Sequence, residues 1–282
     1  MLEQTIINGL MLGMTYVVVA SGLTLVFGVM HIFNFAHGEL YMLGGFAGYL
    51  FLEMLGVNFF LALILTMAGM FLFGWLVERY TFRLVRGKLV ASMIISLGLG
   101  MIFSGGALLL FTEEDLSAQS PFPGVIRIGD TVLATERLMV ILLCFLIMAV
   151  MFLFLHRSRL GRAMRAVAID PEAGALQGIS IDLVSSLCFA MAAAIAGAAG
   201  VMTLPLFKVN ASIGGVAVIN SLTVVVLGGM GSVPGSVVGG LILGFVNAFA
   251  VTYIGGTIGG IFAFIMIIVM IIIRPKGLMG HD

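Results

Sequence analysis

The chain has 282 residues, 61% of them hydrophobic and only 9% charged, with 13 basic and 13 acidic side chains. Soluble domains carry about 25% charged residues, so one aqueous core cannot hide this much apolar surface and the composition predicts an integral membrane protein. The zero net charge leaves no electrostatic footprint for a nucleic acid, and no nucleic-acid partner is expected.

A spanning helix needs about 20 mostly apolar residues. Runs of that kind lie at 5–29, 39–55, 59–77, 89–111, 137–155, 183–204, 214–230, 235–254 and 257–273. The expectation is an all-α polytopic membrane protein with about eight to nine transmembrane helices, some of them broken or re-entrant. It forms a single transmembrane domain over 1–282, with no soluble domain or long linker. The opening "MLEQTIINGL" lacks a basic stretch ahead of its apolar segment, so a cleaved signal peptide is not expected. Cys144 and Cys188 each sit in an apolar run and read as unpaired core thiols. No Cys/His spacing suggests a metal.

The first break is "NFAHGEL", Asn34 to Leu40. Asn34 and His37 are three residues apart and share a helix face; His37 and Glu39 do not. A charge at a helix centre costs about 2.5–3.5 kcal/mol on insertion scales, so Glu39 is expected near an interface or paired. Three uses compete. The cluster can be a polar joint, in which Asn34 satisfies freed backbone groups and Gly38 permits the bend. It can line a translocation path. It can be a cytoplasmic interface element. The joint is the favoured reading, and it is compatible with a path beside it.

Basic residues in short loops set orientation. The 78–88 loop carries Arg79, Arg83, Arg86 and Lys88; the 156–165 loop carries Arg157, Arg159, Arg162 and Arg165; the C-terminal tail carries Arg274 and Lys276. These are expected in the cytoplasm. The 112–136 loop, with Glu113, Glu114, Asp115, Asp130 and Glu136, is expected outside. Nine full crossings would leave the N-terminus outside as well.

Segment 157–182 then opens with its arginines and continues as "AIDPEAGALQGI", a predicted short helix. Asp170 suits the N-cap, Pro171 the first helical position and Glu172 the first turn, where the helix dipole favours an anion. Gly178 suits the C-terminal end. Such a segment is either a membrane-surface helix with a snorkelling basic rim or a docking element for a cytoplasmic partner.

The last third contains "VLGGMGSVPGSVVGGLILG", where Gly231, Gly235 and Gly239 have the spacing of close helix packing in lipid. The part around Gly231 and Ser232 also reads as a helix break, tolerated at membrane depth only inside protein or beside a water-filled cavity. "SGLTLVFGVM" (21–30) and "NSLTVVVLGGM" (220–230) echo one another ahead of the two breaks, and "LGG" (43–45) is echoed by "VGG" (238–240). Paired interrupted segments point to a transport pathway. The pathway or helix-break candidates are therefore Asn34, His37, Gly38, Glu39, Asn220, Ser221, Thr223, Gly231 and Ser232. No nucleophile, general base or phosphate-binding GxxxxGK[ST] is present, so neither enzymatic activity nor ATP hydrolysis by this chain is expected.

"GLTLVFGVMHIFNFAHGELYMLGG", "GRAMRAVAIDPEAGALQGI", "VLGGMGSVPGSVVGG" and "RPKGLMG" follow in order along the whole chain. Together they resemble the permease subunits of bacterial ABC importers for branched-chain amino acids, of the H-type (LivH-like). The resemblance implies a multi-pass inner-membrane protein with a cytoplasmic C-terminus. It implies a second permease subunit, an M-type homologue, as partner, together with two cytoplasmic ATPase subunits and a periplasmic substrate-binding protein. ATP would be bound by the ATPases, and no cofactor by this chain. Segment 159–179 would couple ATPase closure to permease opening, with Arg162, Asp170, Glu172, Ala175, Gly178 and Ile179 matching the pattern. Two departures bear on substrate. Asn220 and Ser221 stand where many relatives carry a basic residue and an aromatic, and Ala211 stands where many carry proline. The family extends to urea, short amides and small organic acids, which form the alternative substrate class. Two other classes compete: a stand-alone channel whose half-helices around "NFAHG" and "GSVPG" meet at mid-membrane, and a proton-driven secondary transporter in which Glu39 or His37 titrates.

Overall fold

The computed structural model describes residues 2–128, 131–255, 259–274 and 277–279. The chain folds into α1 (Leu2–Met30), α2 (His37–Tyr49) with a π-helical extension (Leu50–Met54), α3 (Phe59–Tyr80) and α4 (Leu89–Phe111). A short antiparallel ribbon follows, β1 (Val125–Ile128) and β2 (Thr131–Ala134), with Val125 opposite Ala134. Then come α5 (Thr135–Arg157), α6 (Arg159–Ile169), α7 (Pro171–Leu176), α8 (Ile181–Thr203), α9 (Ile213–Gly228), α10 (Val233–Tyr253) and α11 (Gly259–Ile273). Among the described residues, six helices are long and apolar enough to cross a membrane: α1, α3 with its 3₁₀ extension, α4, α5, α8 and α10. This is an all-α polytopic membrane protein. The apolar runs read from sequence coincide with these elements to within a few residues; the ribbon was not anticipated.

Helix α8 is the axis of the fold. Its sequence "CFAMAAAIAGAAGVMT" is rich in alanine and glycine, and every position from Ala192 to Thr203 is buried. Small side chains let neighbouring backbones come close in lipid, where dispersion rather than the hydrophobic effect drives packing. Helices α1, α2 and α3 pack on α8, and α10 packs along α1. The glycines of α10 divide between two neighbours: Gly235 and Gly239 abut α9, while Gly240 and Gly244 abut α1. Gly231 lies in the turn before α10 rather than on a helix face. Cys144 and Cys188 are buried and unpaired. By contrast α4 and α5 present apolar side chains such as Ile102, Leu109, Phe145 and Leu146 outward, the surface a lipid environment requires.

The two ends differ in charge. At one end Arg83 and Arg86 of the α3–α4 loop pair with Asp182 at the start of α8, which brings the 78–88 loop beside segment 157–180. The end of α1 reaches the same side, with Gly28 against Gly231. The amides of Leu278 and Met279 donate to the carbonyls of Leu227 and Gly228, both at 2.9 Å, so the described C-terminal residues join this end. At the opposite end Leu116 and Val209 form a β-bridge, Lys208 lies 3.5 Å from Asp115, and the Gln119 amide donates to Glu53 at 2.7 Å. The Asn210 amide, with Lys208 nearby, holds the Asp115 carboxyl below the usual carboxylate range. Asn8 near the N-terminus meets Arg137 at this acidic end. Lys276 and Asp130 lie outside the described residues.

Candidate functional site: a joint between two broken helices

Helix α1 stops at His31, which takes a left-handed conformation with φ of 54°. The chain then runs non-helically to Ala36, where the Asn34 side-chain oxygen accepts from the Ala36 amide at 3.1 Å. The Asn34 carbonyl accepts from the His37 amide at 3.3 Å. Asn34 thus supplies the local partners a broken helix needs. The His37 ring, with no exposed surface, donates through Nε2 to the Val19 carbonyl at 2.9 Å. Val19 lies 11 residues before the end of α1, about 17 Å back along its axis at 1.5 Å per residue. The 31–36 segment therefore climbs back beside α1, and α2 starts deep inside the molecule.

Helix α9 starts at the same depth. A Cβ on Gly38 would sit 2.0 Å from the Gly214 carbonyl oxygen and 2.6 Å from the Val218 amide nitrogen; only glycine allows this crossing. From it α2 runs along α8 toward the acidic end, and α9 runs toward the basic end. At 16 residues, α9 is about 24 Å long, short of the roughly 30 Å hydrocarbon core. Two helices that begin inside the molecule thus meet near their N-termini.

Glu39 is the third residue of α2 and only 9% exposed. Its carboxylate lies against the first turn of α9: a Cβ on Gly214 would be 2.5 Å from Oε2. No basic side chain pairs with it among the described residues, and Oε2, Asn34 Nδ2 and His37 Nδ1 are buried without hydrogen-bond partners there. Glu39 is therefore not paired with a basic side chain among the described residues. It sits where the first turns of α2 and α9 meet.

The meeting of breaks that the channel alternative requires is not observed. "GSVPG" does not meet "NFAHG"; it turns at the basic end, where Ser232 caps α10 by accepting from the Gly235 amide at 3.1 Å. The break that meets "NFAHG" is "NASIGG". There the Asn210 side-chain oxygen accepts from the amide and hydroxyl of Ser212, at 3.1 and 2.9 Å. The signal was present, an Asn and a Ser ahead of two glycines, a common helix start.

Beside the joint, between α1, α2 and α9, lies a cavity of about 190 Å³. Its walls are mostly apolar, with Leu12, Val19, Ile213 and Val216, and its polar groups include Tyr16, Tyr41, Asn220 and Ser221. These hydroxyls are fixed: Tyr16 accepts from Asn247 and Tyr41 bonds to Thr203, both at 2.8 Å, and Ser221 donates to the Ala217 carbonyl at 2.7 Å. Of the sequence candidates, Asn34, His37, Gly38 and Glu39 form the joint, while Asn220 and Ser221 line the cavity. Thr223 is buried within α9 and donates to the Ile219 carbonyl at 2.8 Å. Gly231 and Ser232 stand apart at the basic end.

The second candidate region projects from that basic end. Asp170 caps α7, its carboxylate accepting from the amides of Glu172 and Ala173 at 2.9 and 3.0 Å, with Pro171 in the first turn. Gly178 ends the turn at φ of 79°, and the Ile179 amide donates to the Gly174 carbonyl at 3.1 Å. Helix α6 buries Gly161, Met164 and Val167 and leaves Arg162 exposed; α7 exposes Glu172, Ala175 and Leu176, the last 88% exposed. Sequence reasoning missed what anchors this region. Glu78, fully buried, accepts from Arg86 and Ser186, and Arg86 also reaches Asp182. The signal was an acid at the end of an apolar run, directly ahead of the basic residues of the 78–88 loop.

Comparison with known proteins follows the same lines. Residues 5–273 match the family model described as "Branched-chain amino acid transport system / permease component". The chain is 34% identical to the high-affinity branched-chain amino acid transport system permease protein LivH of Salmonella typhimurium, over 82% of this chain and 80% of that protein. The same figures hold for LivH of Escherichia coli strain K12. BraD of Pseudomonas aeruginosa, named for the same system, is 33% identical with the same coverage. Among solved structures, PsaBC from Streptococcus pneumoniae in complex with Fab superposes with a TM-score of 0.53 at 14% identity, covering 95% of this chain and 91% of that one. That is a likeness of fold alone. The match runs from α1 to α11 and takes in the joint, the cavity and the capped segment, and the chain belongs to the family of branched-chain amino acid transport system permease components.

Proposed function

We propose that this chain is the H-type permease subunit of an ATP-driven importer in the bacterial inner membrane, and that it forms half of a translocation pathway for branched-chain amino acids. The observation that carries this reading is segment 159–179. A capped helix with an exposed apolar residue projects from the basic end, and its chain continues directly into α8, the buried axis on which α2 packs. Motion imposed on α7 is delivered to the joint through one helix. The partners of such a subunit are two cytoplasmic ATPases, which bind the ATP, a periplasmic binding protein, and a second permease of the M-type. Basic loops favour the cytoplasmic side, which supports a cytoplasmic position for α7 and the C-terminal residues. The cavity beside the joint is smaller than the roughly 300–1,000 Å³ of drug-sized sites. Its apolar walls and few fixed hydroxyls suit a small aliphatic solute that must pass rather than bind tightly, since the binding protein supplies selectivity. Asn34, His37 and Glu39 hold the joint beside that path.

The coupling assignment has a direct test. Glu172→Arg or Leu176→Asp in the full complex should release the ATPases during purification while the permease still inserts and elutes as a folded species. ATPase recovery equal to wild type for both variants would contradict the assignment.

A further inference from the structure

We infer that a second, larger cavity at the basic end binds the headgroup of an anionic phospholipid. It encloses about 480 Å³ where the ends of α1 and α5, helix α6 and the turn before α10 converge. His31, His156 and Arg165 line it, and no Asp or Glu does. Arg165 has no ion-pair partner among the described residues. His156 is held in place, its ring stacked on Phe152 at 4.0 Å and its Nδ1 donating to the Phe152 carbonyl at 2.9 Å. The Ser232 side chain adds a hydroxyl to the wall.

Two features select a lipid over a soluble anion. The first is depth. The cavity opens at the last turns of α1 and α5, where two membrane-crossing helices end, the level of the headgroups. The second is continuity. Phe152 belongs both to the cavity wall and to the exposed apolar face of α5, which continues through Phe145 and Leu142 toward the membrane interior. A phosphate seated at Arg165 and the two histidines leaves its acyl chains along that face. Basic pockets between transmembrane helices on the cytoplasmic side take anionic headgroups in this way. Phe152, His156 and Arg165 belong to neither the joint nor the 190 Å³ cavity, so the inference does not depend on what the pathway carries.

The test uses the assembled transporter, delipidated in detergent and re-equilibrated with equal amounts of phosphatidylglycerol and phosphatidylcholine of matched chains. Native mass spectrometry then counts the lipids retained. Phosphatidylglycerol should be retained over phosphatidylcholine. Arg165→Gln should reduce its retention about fivefold, the weight of one basic side chain near an anionic headgroup, and Arg165→Lys should restore most of it. Met230→Glu, which places a carboxylate in the cavity wall, provides a second route to the same loss should the arginine variant fail to assemble. Equal retention of the two lipids would overturn the inference, as would phosphatidylglycerol retention unchanged in both Arg165→Gln and Met230→Glu. Full displacement of phosphatidylglycerol by millimolar inorganic phosphate would assign the site to a soluble anion and overturn it too.

Discussion

At the scale of single residues, the joint depends on what is missing. Gly38 has no side chain, and the Gly214 carbonyl occupies the place where a Cβ would go. The obstructing atoms are backbone, which cannot rotate away. Gly38→Ala should therefore cost more than the roughly 1–3 kcal/mol of ordinary overpacking and lower the melting temperature of the purified permease. Gly105 provides the contrast: a Cβ there meets nothing within 4 Å, and Gly105→Ala should leave the melting temperature unchanged or raise it slightly through helix propensity. Equal melting temperatures for the two variants would remove the close crossing from the account. Residue chemistry was legible in the sequence where it acts locally. Asp170, Pro171 and Gly178 do what their types predict, because caps and turns are decided within four or five residues. Asn34 likewise satisfies a backbone group two residues away. The surroundings of Glu39 were not legible, since they are set by a helix that begins about 175 residues later.

At the scale of elements, apolar run length identified the helices but not their depth. A run of 16 or 17 residues reads the same whether it starts at the membrane surface or halfway through. The echo between 21–30 and 220–230 drew attention to "GSVPG" as the second break, yet the helix that meets α2 starts at "NASIGG". Which helices abut is a tertiary fact, carried here by one glycine on each. The ion network at the basic end was hidden for the same reason, because it joins Glu78 to residues about a hundred positions away. It also makes a prediction. Glu78→Ala takes away the buried acceptor of Ser186 and Arg86 while Arg86 keeps Asp182, so it should destabilise the docking of α3 on α8 by about 1–3 kcal/mol. Arg83 and Asp182 are both substantially exposed, and Arg83→Ala should cost no more than about 1 kcal/mol. Chemical denaturation of the two variants in the same detergent separates these outcomes. Similar midpoints would show that the network is not a structural anchor.

At the scale of the whole molecule, charge and architecture agree. The basic loops, the capped segment and the described C-terminal residues gather at one end, and the acidic loop packs at the other. Between them α8 runs from the exposed capped segment to the acidic end, and α2 and α9 meet beside it within the interior. This is the layout of a subunit driven from one side to open a path through its middle. The measurement that tests this most directly is uptake of radiolabelled leucine by proteoliposomes containing this chain with its permease partner and ATPases. The account predicts accumulation only when ATP is present on the ATPase side and the binding protein on the other. Leucine flux down its gradient through this chain alone, without nucleotide or binding protein, would contradict it.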